Sequence, residues 1–534
     1  MRARAIMVLG TGSHVGKSLL TAALCRIFAQ HGYRVAPFKS QNMSLNSAAT
    51  VEGLEIGRAQ ALQAEAAGVA ASVHMNPILI KPSGDHSSQV VVRGKIWGRV
   101  TAAEYHRRRI QELLPVVQES YDILASQYEV IVLEGAGSPA EINLKQHDIV
   151  NMRMAEMADA KCLLVGDIDR GGVFASLLGT LELLEPEERK RVRGFAINKF
   201  RGDASLLKPG VEMIEDRVQR LCLGVVPWLP SLMLEEEDSL GLPPSTQSQW
   251  PIAQTRNSED RPLRIAVIGL PSFSNFTDFD SLRAEPSVSL LFCRTAEEIA
   301  QADVVILPGS KQTVDDLLWM KRSGLDVAIL RYAPTGLVVG ICGGMQMLGE
   351  TIEDPSGMEH EGSVAALGLL PIRTIMQMEK VTRNAQGEMA EAVLFGQPLK
   401  DAKLDGYEIH IGHTEYKAGA KHFSILSADR SASAGKDGCI SADTTIFGTY
   451  LHGIFDDDSF RHQFLGAARA YYKLSAPREL NLWKQLREDS LNRLAREVEK
   501  ALDMRAIFDW AGLPYTVPVS EDTSALSQNE GVTQ

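Results

Sequence analysis

The chain has 534 residues, 45% of them hydrophobic, and a formal net charge of -12 from 55 Lys plus Arg against 67 Asp plus Glu. That length exceeds one ordinary core and predicts roughly two to four units. The acidic balance excludes nucleic acid or an anionic membrane as the main partner, and leaves a small anionic substrate to local basic clusters.

The apolar start at residues 5–9 stops at Gly10 without a cleavage-type region, so it is not read as a signal peptide. It feeds Gly10-Thr11-Gly12-Ser13-His14-Val15-Gly16-Lys17-Ser18, which opens a helix expected to reach about His31, with Gly32 as C-cap. A glycine-rich turn between strand and helix is what a phosphate loop requires. Backbone amides and the helix N-terminus surround phosphate oxygens, Lys17 adds a cation, and Ser18 offers a hydroxyl to Mg²⁺. Gly12, Ser13, His14, Val15, Gly16, Lys17 and Ser18 are the expected nucleotide-binding residues, although Thr11 stands where the standard pattern has glycine.

Apolar β-branched runs at 34–38, 129–133, 162–165, 194–197 and 222–226 alternate with helical patterns, which predicts a parallel sheet covered by helices on both faces. Glu134 ends one of these runs and is expected beside the metal with Ser18; Asp167 and Asp169 occupy an equivalent edge and are the alternatives. From Glu235 to about Pro262 the chain is rich in Pro, Ser, Gln and Asn and lacks periodicity, the pattern of a linker.

A second βα series follows at 264–268, 288–292, 303–307 and 337–341. Its last strand runs into Gly340-Ile341-Cys342-Gly343-Gly344, and Met345-Gln346-Met347-Leu348 leaves as a first helical turn. This is the geometry of a nucleophile elbow: the turn is too tight for side chains beside the cysteine, and the amides after it can stabilise an oxyanion. The alternative for Cys342 is a small buried hydrophobe. A thiol titrates near ~8.5, so a nucleophile needs a base. His452 falls at the exit of the apolar run 447–451, with His410 and His413 as the other candidates. Beyond about Gly368 the chain is strand-rich. Trp483, Leu486, Leu491, Leu494, Val498 and Leu502 then predict an amphipathic helix, and the polar tail after Val517 is expected to be disordered. No apolar run is long enough to span a membrane. Six scattered cysteines without a C-x-x-C pair argue against a disulfide framework or a zinc site and fit a reducing cytoplasm.

The elbow, preceded by Val304-Val305-Ile306-Leu307-Pro308-Gly309-Ser310, resembles the class I glutamine amidotransferases. The resemblance implies that Cys342 attacks the glutamine side-chain amide, that His452 activates it, and that amides near Gly309 and Gly343 form the oxyanion hole. Most of that class continues His-x-Glu, whereas this chain has His452-Gly453-Ile454; its corrinoid-synthesis branch lacks that glutamate. The phosphate loop is similar to that of dethiobiotin synthetase. Lys39-Ser40-Gln41-Asn42-Met43-Ser44, Glu55-Ile56-Gly57-Arg58-Ala59-Gln60, Glu134-Gly135-Ala136-Gly137-Ser138-Pro139 and Asp167-Ile168-Asp169-Arg170-Gly171-Gly172 together resemble the cobyric acid synthase family over most of residues 1–510.

The implied architecture is α/β: a doubly wound phosphate-loop ATPase domain (1–234), a linker (235–262), a flavodoxin-like class I glutamine amidotransferase domain (263–475), a C-terminal helical segment (476–514) and a tail (515–534). The implied reaction amidates four carboxylates of adenosylcobyrinic acid a,c-diamide with ATP, Mg²⁺ and glutamine. Such a polycarboxylate needs local cations, for which Lys81, Arg93, Lys95, Arg107, Arg108 and Arg109 are candidates. The competing readings are an a,c-diamide synthase, and a partition-type ATPase switch carrying an inert amidotransferase-like domain.

Overall fold

The computed structural model describes residues 2–82, 87–234, 259–401, 403–427 and 435–516. Most of the expected linker and all but the first residues of the expected tail lie outside these.

Six strands form the first sheet in the spatial order Leu221–Pro227, Val192–Phe200, Lys161–Asp167, Arg4–Gly10, Val130–Glu134, Val35–Phe38. All neighbours are parallel. Their apolar runs are continuous because both faces are covered. Met7 and Leu9 enter one apolar cluster with Leu133 and Leu164, while Ile6 and Val8 enter another with Leu24 and Phe28. A smaller sheet of Gln41–Met43, Ile78–Pro82, Ser87–Val92 and Lys95–Thr101 is added beside it. Its strands are short or half polar, so they carry little periodic signal.

The second domain has its own sheet, in the order Val288–Cys293, Leu263–Ile268, Val304–Leu307, Leu337–Ile341, Ile446–Thr449, closed by an antiparallel Cys439–Ile440 edge. Against it stands a second sheet built on the long antiparallel ribbon Ile372–Met389 and Lys403–Tyr416. The chain crosses between these sheets at Leu451–His452, which pairs with Tyr407 and Glu408 of the ribbon.

The amphipathic helix forms as Trp483–Ala501 and is followed by Met504–Trp510. Both helices leave the second domain and return to the first. Leu491, Leu494, Val498, Ile507 and Phe508 are buried with Ile6, Val8, Leu24 and Phe28, and the Phe28 and Phe508 rings lie 4.6 Å apart. No described helix is long and apolar enough to cross a membrane.

Candidate functional site

Strand register decides which side chains meet. Val8 lies opposite Glu134, so the turn after Gly10 and the carboxylate of Glu134 leave the sheet at the same edge. The helix Lys17–Gln30 starts there, capped by Gly16 with φ 97°, and a Cβ on Gly16 would fall 2.2 Å from the Asn198 amide. Only glycine fits. Asn198 donates to the Val15 carbonyl at 2.8 Å and holds the turn from the far side. Lys17 Nζ donates to the carbonyls of Gly12 at 2.8 Å and Gly137 at 3.1 Å.

Ser18 Oγ donates to Glu134 Oε1 at 2.8 Å. Glu134 is 1% exposed, pairs with Lys39 Nζ at 2.9 Å and accepts from Gln63 Nε2 at 2.6 Å. The Ser18 and Glu134 oxygens fit Mg²⁺, which takes one or two protein ligands and completes its shell with phosphate and water. Among the described residues no group of three or more His, Cys, Asp and Glu side chains could hold a metal by itself. Of the alternative carboxylates, Asp167 pairs at 2.9 Å with Lys199, whose ammonium also donates to the His14 carbonyl of the loop, and Asp169 pairs with Arg201 at 3.1 Å.

A cleft of about 1260 Å³ opens from Ser13, His14 and Lys17. Of the basic residues proposed from composition, none whose side chain is described lines it. Lys81 is 4% exposed and neutralised by Glu55, Arg93 pairs with Glu119, and Arg108 pairs with Glu112. Beside Lys17 and Lys39, the cations on the cleft wall are Lys145, Arg153, Lys161, Lys190, Arg191 and Arg193, of which Lys145, Lys161, Lys190 and Arg191 pair with carboxylates.

In the second domain Leu307 lies opposite Gly340, and Ile341 opposite Thr449. Gly309, Cys342 and His452 therefore all emerge from one sheet edge. Cys342 has φ 51° and ψ -109°, a strained conformation for a residue with a side chain, and caps the helix Gly343–Leu348. A Cβ on Gly344 would stand 1.9 Å from the Leu307 carbonyl oxygen, and one on Gly340 would stand 2.7 Å from the Met345 amide. The first amides of that helix have no intrahelical acceptor and start beside the thiol. A Cβ on Gly309 would lie 3.0 Å from the His452 ring, and one on Gly343 the same distance from the Ser310 amide. The two expected oxyanion-hole glycines thus flank the Cys342 and His452 pair.

His452 is 1% exposed. Its Nδ1 lies 2.7 Å from Asp278 Oδ2, while Asp278 Oδ1 accepts from the Gly453 amide at 3.0 Å. Burial alone pushes the imidazole down, but the negative charges of Asp278 and Cys342, both hydrogen-bonded to the ring, outweigh it and hold His452 up to about 10. The third member of the constellation is therefore Asp278, from the short 3₁₀ turn Phe276–Phe279 that follows the domain's first strand. Sequence reasoning missed it because it looked next to the histidine, and Asp278 lies 174 residues away. The available signal was one acidic residue inside the apolar Phe276-Thr277-Asp278-Phe279 at a strand exit.

The other histidines serve differently. His410 Nδ1 is bonded to the Gly412 carbonyl at 2.8 Å, its ring stacks on Tyr450, and burial pushes it down to about 3. His413 is exposed.

The turn that carries Asp278 is tied to the first domain. Asn275 Oδ1 accepts from the Ser47 amide at 3.0 Å, and the Phe276 amide donates to Asn46 Oδ1 at 3.3 Å. Nearby, Glu55 of the first domain is fully buried between Lys81 and Lys380 of the second-domain ribbon, and their charges hold its carboxyl far below the usual range against the opposing effect of burial.

Comparison with known proteins agrees with this division. Residues 6–241 match the CobQ/CobB/MinD/ParA nucleotide binding domain, and residues 264–460 the CobB/CobQ-like glutamine amidotransferase domain. A protein named cobyric acid synthase from Thermoanaerobacter sp. (strain X514) is 48% identical over 94% of this chain and 98% of its own length. One of the same name from Moorella thermoacetica is 49% identical over 96% of this chain and 98% of its own length.

Proposed function

The chain belongs to the cobyric acid synthase family, and on that premise we propose that it amidates the b, d, e and g carboxylates of adenosylcobyrinic acid a,c-diamide, consuming one ATP and one glutamine for each. It is a glutamine-dependent amidating ligase of cobalamin biosynthesis. The observation that carries the finer reading is that the thiol site opens against the other domain. A thiol constellation of Cys342, His452 and Asp278 opens into a cavity whose wall includes Lys81 and Gln89 of the phosphate-loop domain.

In this reading the Cys342 thiolate attacks the glutamine Cδ, and the Gly309 and Gly343 amides stabilise the oxyanion. Collapse expels ammonia with a proton from His452, leaving a γ-glutamyl thioester. Water, deprotonated by His452, releases glutamate and restores the thiol. Asp278 fixes the ring so that Nδ1–H points to the carboxylate and Nε2 to the sulfur, the role of the third member of a triad. A carboxylate resists amines, so the first domain activates it: the γ-phosphoryl group passes to the corrinoid carboxylate, giving an acyl phosphate and ADP. Ammonia then displaces phosphate. Lys17 and the loop amides hold the transferring phosphates. Mg²⁺ held by Ser18 and Glu134 would neutralise phosphate charge. Free ammonia is mostly protonated at neutral pH, so transfer within the interface preserves the nucleophile.

The test is mass gain on a panel of corrinoid acids supplied with ATP and glutamine. Four amides on the a,c-diamide support the reading; two on cobyrinic acid and none on its a,c-diamide would assign the chain the diamide reaction instead.

A further inference from the structure

The cavity in front of Cys342 contains polar groups that the thiol chemistry does not use. Lys311 lines it immediately after the Gly309 turn, with Glu359 as the carboxylate that acts on its charge. Burial, with Glu359 opposing, pushes that lysine down. Gln89, 9% exposed and contributed by the first domain, lines the same cavity, and its Oε1 is buried without a partner among the described residues. Lys81 and Lys380 also face this space, but both are engaged by Glu55.

The wall carries the cations Lys81, Lys311 and Lys380 against Glu359, with Glu55 behind it. Burial pushes Glu359 up to about 7, although Lys311 and the Thr313 amide oppose the shift. Lys311 is opposed in the pocket by Glu359, a carboxyl that burial itself pushes up, and Gln89 Oε1 has no donor among the described residues. A cation so weakly countered and a buried carbonyl oxygen without a donor are both costly unless a ligand completes them. One molecule offers a carboxylate and an ammonium on a single carbon, with an amide at its other end for Cys342.

We propose that Lys311 binds the α-carboxylate of glutamine and Gln89 Oε1 its α-ammonium, so that the head group is clamped between the two domains. This rests on the reading of Cys342 as the glutamine-hydrolysing thiol. It adds that the glutamine site belongs to neither domain alone: the amidotransferase reads the carboxylate and the amide, and the synthetase reads the amine. Glutamine hydrolysis then requires the docked pair.

The test compares ammonia release from glutamine, from 4-aminobutanamide (glutamine without its α-carboxylate) and from glutaramate (glutamine without its α-amine). The ratio of kcat/KM for two substrates in one preparation does not depend on the fraction folded. In K311M the preference for glutamine over 4-aminobutanamide should shrink about ten- to a hundredfold, through KM for glutamine, while Q89L should shrink the preference over glutaramate. K311R should restore part of the first preference. Proportional loss on glutamine and 4-aminobutanamide in K311M, or a glutamine KM within about twofold of wild type, would overturn the clamp while leaving Cys342 as the nucleophile. A wild-type enzyme that releases no ammonia from glutamine would overturn both readings.

Discussion

The phosphate loop and the cysteine elbow are built alike, each a strand ending in a glycine turn that starts a helix at the carboxyl edge of a parallel sheet, yet they place backbone strain differently. In the loop the left-handed residues are His14 and Gly16, while Lys17 is an ordinary helical residue. In the elbow the strained residue is the proposed nucleophile, Cys342. A loop that receives a finished anion needs only amides and a cation at rest around it. An elbow that must create an anion has to present a nucleophile ahead of the helix, so the side chain itself occupies the turn.

This contrast can be broken by substitution. Lys17→Ala should remove ATP-dependent amidation with either nitrogen source, and full retention would sink the phosphate-loop role. Cys342→Ala should lower glutamine-dependent amidation by about 10⁴-fold or more while ammonia-dependent amidation survives; loss of both would contradict the division of labour. Next, Asp278→Asn should lower glutamine turnover by about 10²- to 10⁴-fold, because the ring loses the partner that fixes its tautomer.

The same variant sharpens the comparison through pH. His452 is held up to about 10, above an unfolded value near ~6.5. Its contribution to stability is fully present below ~6.5 and is lost as pH rises through about 10, since the folded state keeps a proton that the unfolded chain releases. Thermal unfolding of wild type should therefore show a falling midpoint across that window, and Asp278→Asn should flatten the slope; an unchanged slope would remove Asp278 from the role. Smallest of all, His410→Ala should change glutamine turnover less than about threefold, and a loss comparable to that of His452→Ala would reinstate it as the base.

Much of this was legible in the sequence because buried parallel strands read as unbroken apolar runs, and because Gly-Lys-Ser and Gly-Ile-Cys-Gly-Gly each state a local geometry. What lay outside that reach depends on distance in space. Asp278 and His452 come together only when two strands of the second domain's sheet end at the same edge. Lys81 reads as a free cation until Glu55 pairs with it and, from the other side, with Lys380 of the second domain. The small sheet of residues 41–101 escaped because strands such as Gln41–Met43, Ser87–Val92 and Lys95–Thr101 are short or half polar. The helix Trp483–Ala501 announced its apolar face, but nothing in its periodicity says which domain it covers.

That last helix also decides how the molecule would behave if its backbone were cut. The amidotransferase lies between the linker and a segment that folds back over Phe28 and Leu24, so it is clasped to its neighbour at both ends of its own sequence. A protease nick anywhere in 235–262 severs the chain covalently and leaves the pieces in one particle, because the downstream piece still owns part of the upstream core. Separating them requires pulling Leu494, Val498 and Phe508 out of that core. The segment that follows the second domain in sequence is therefore part of the first domain's fold.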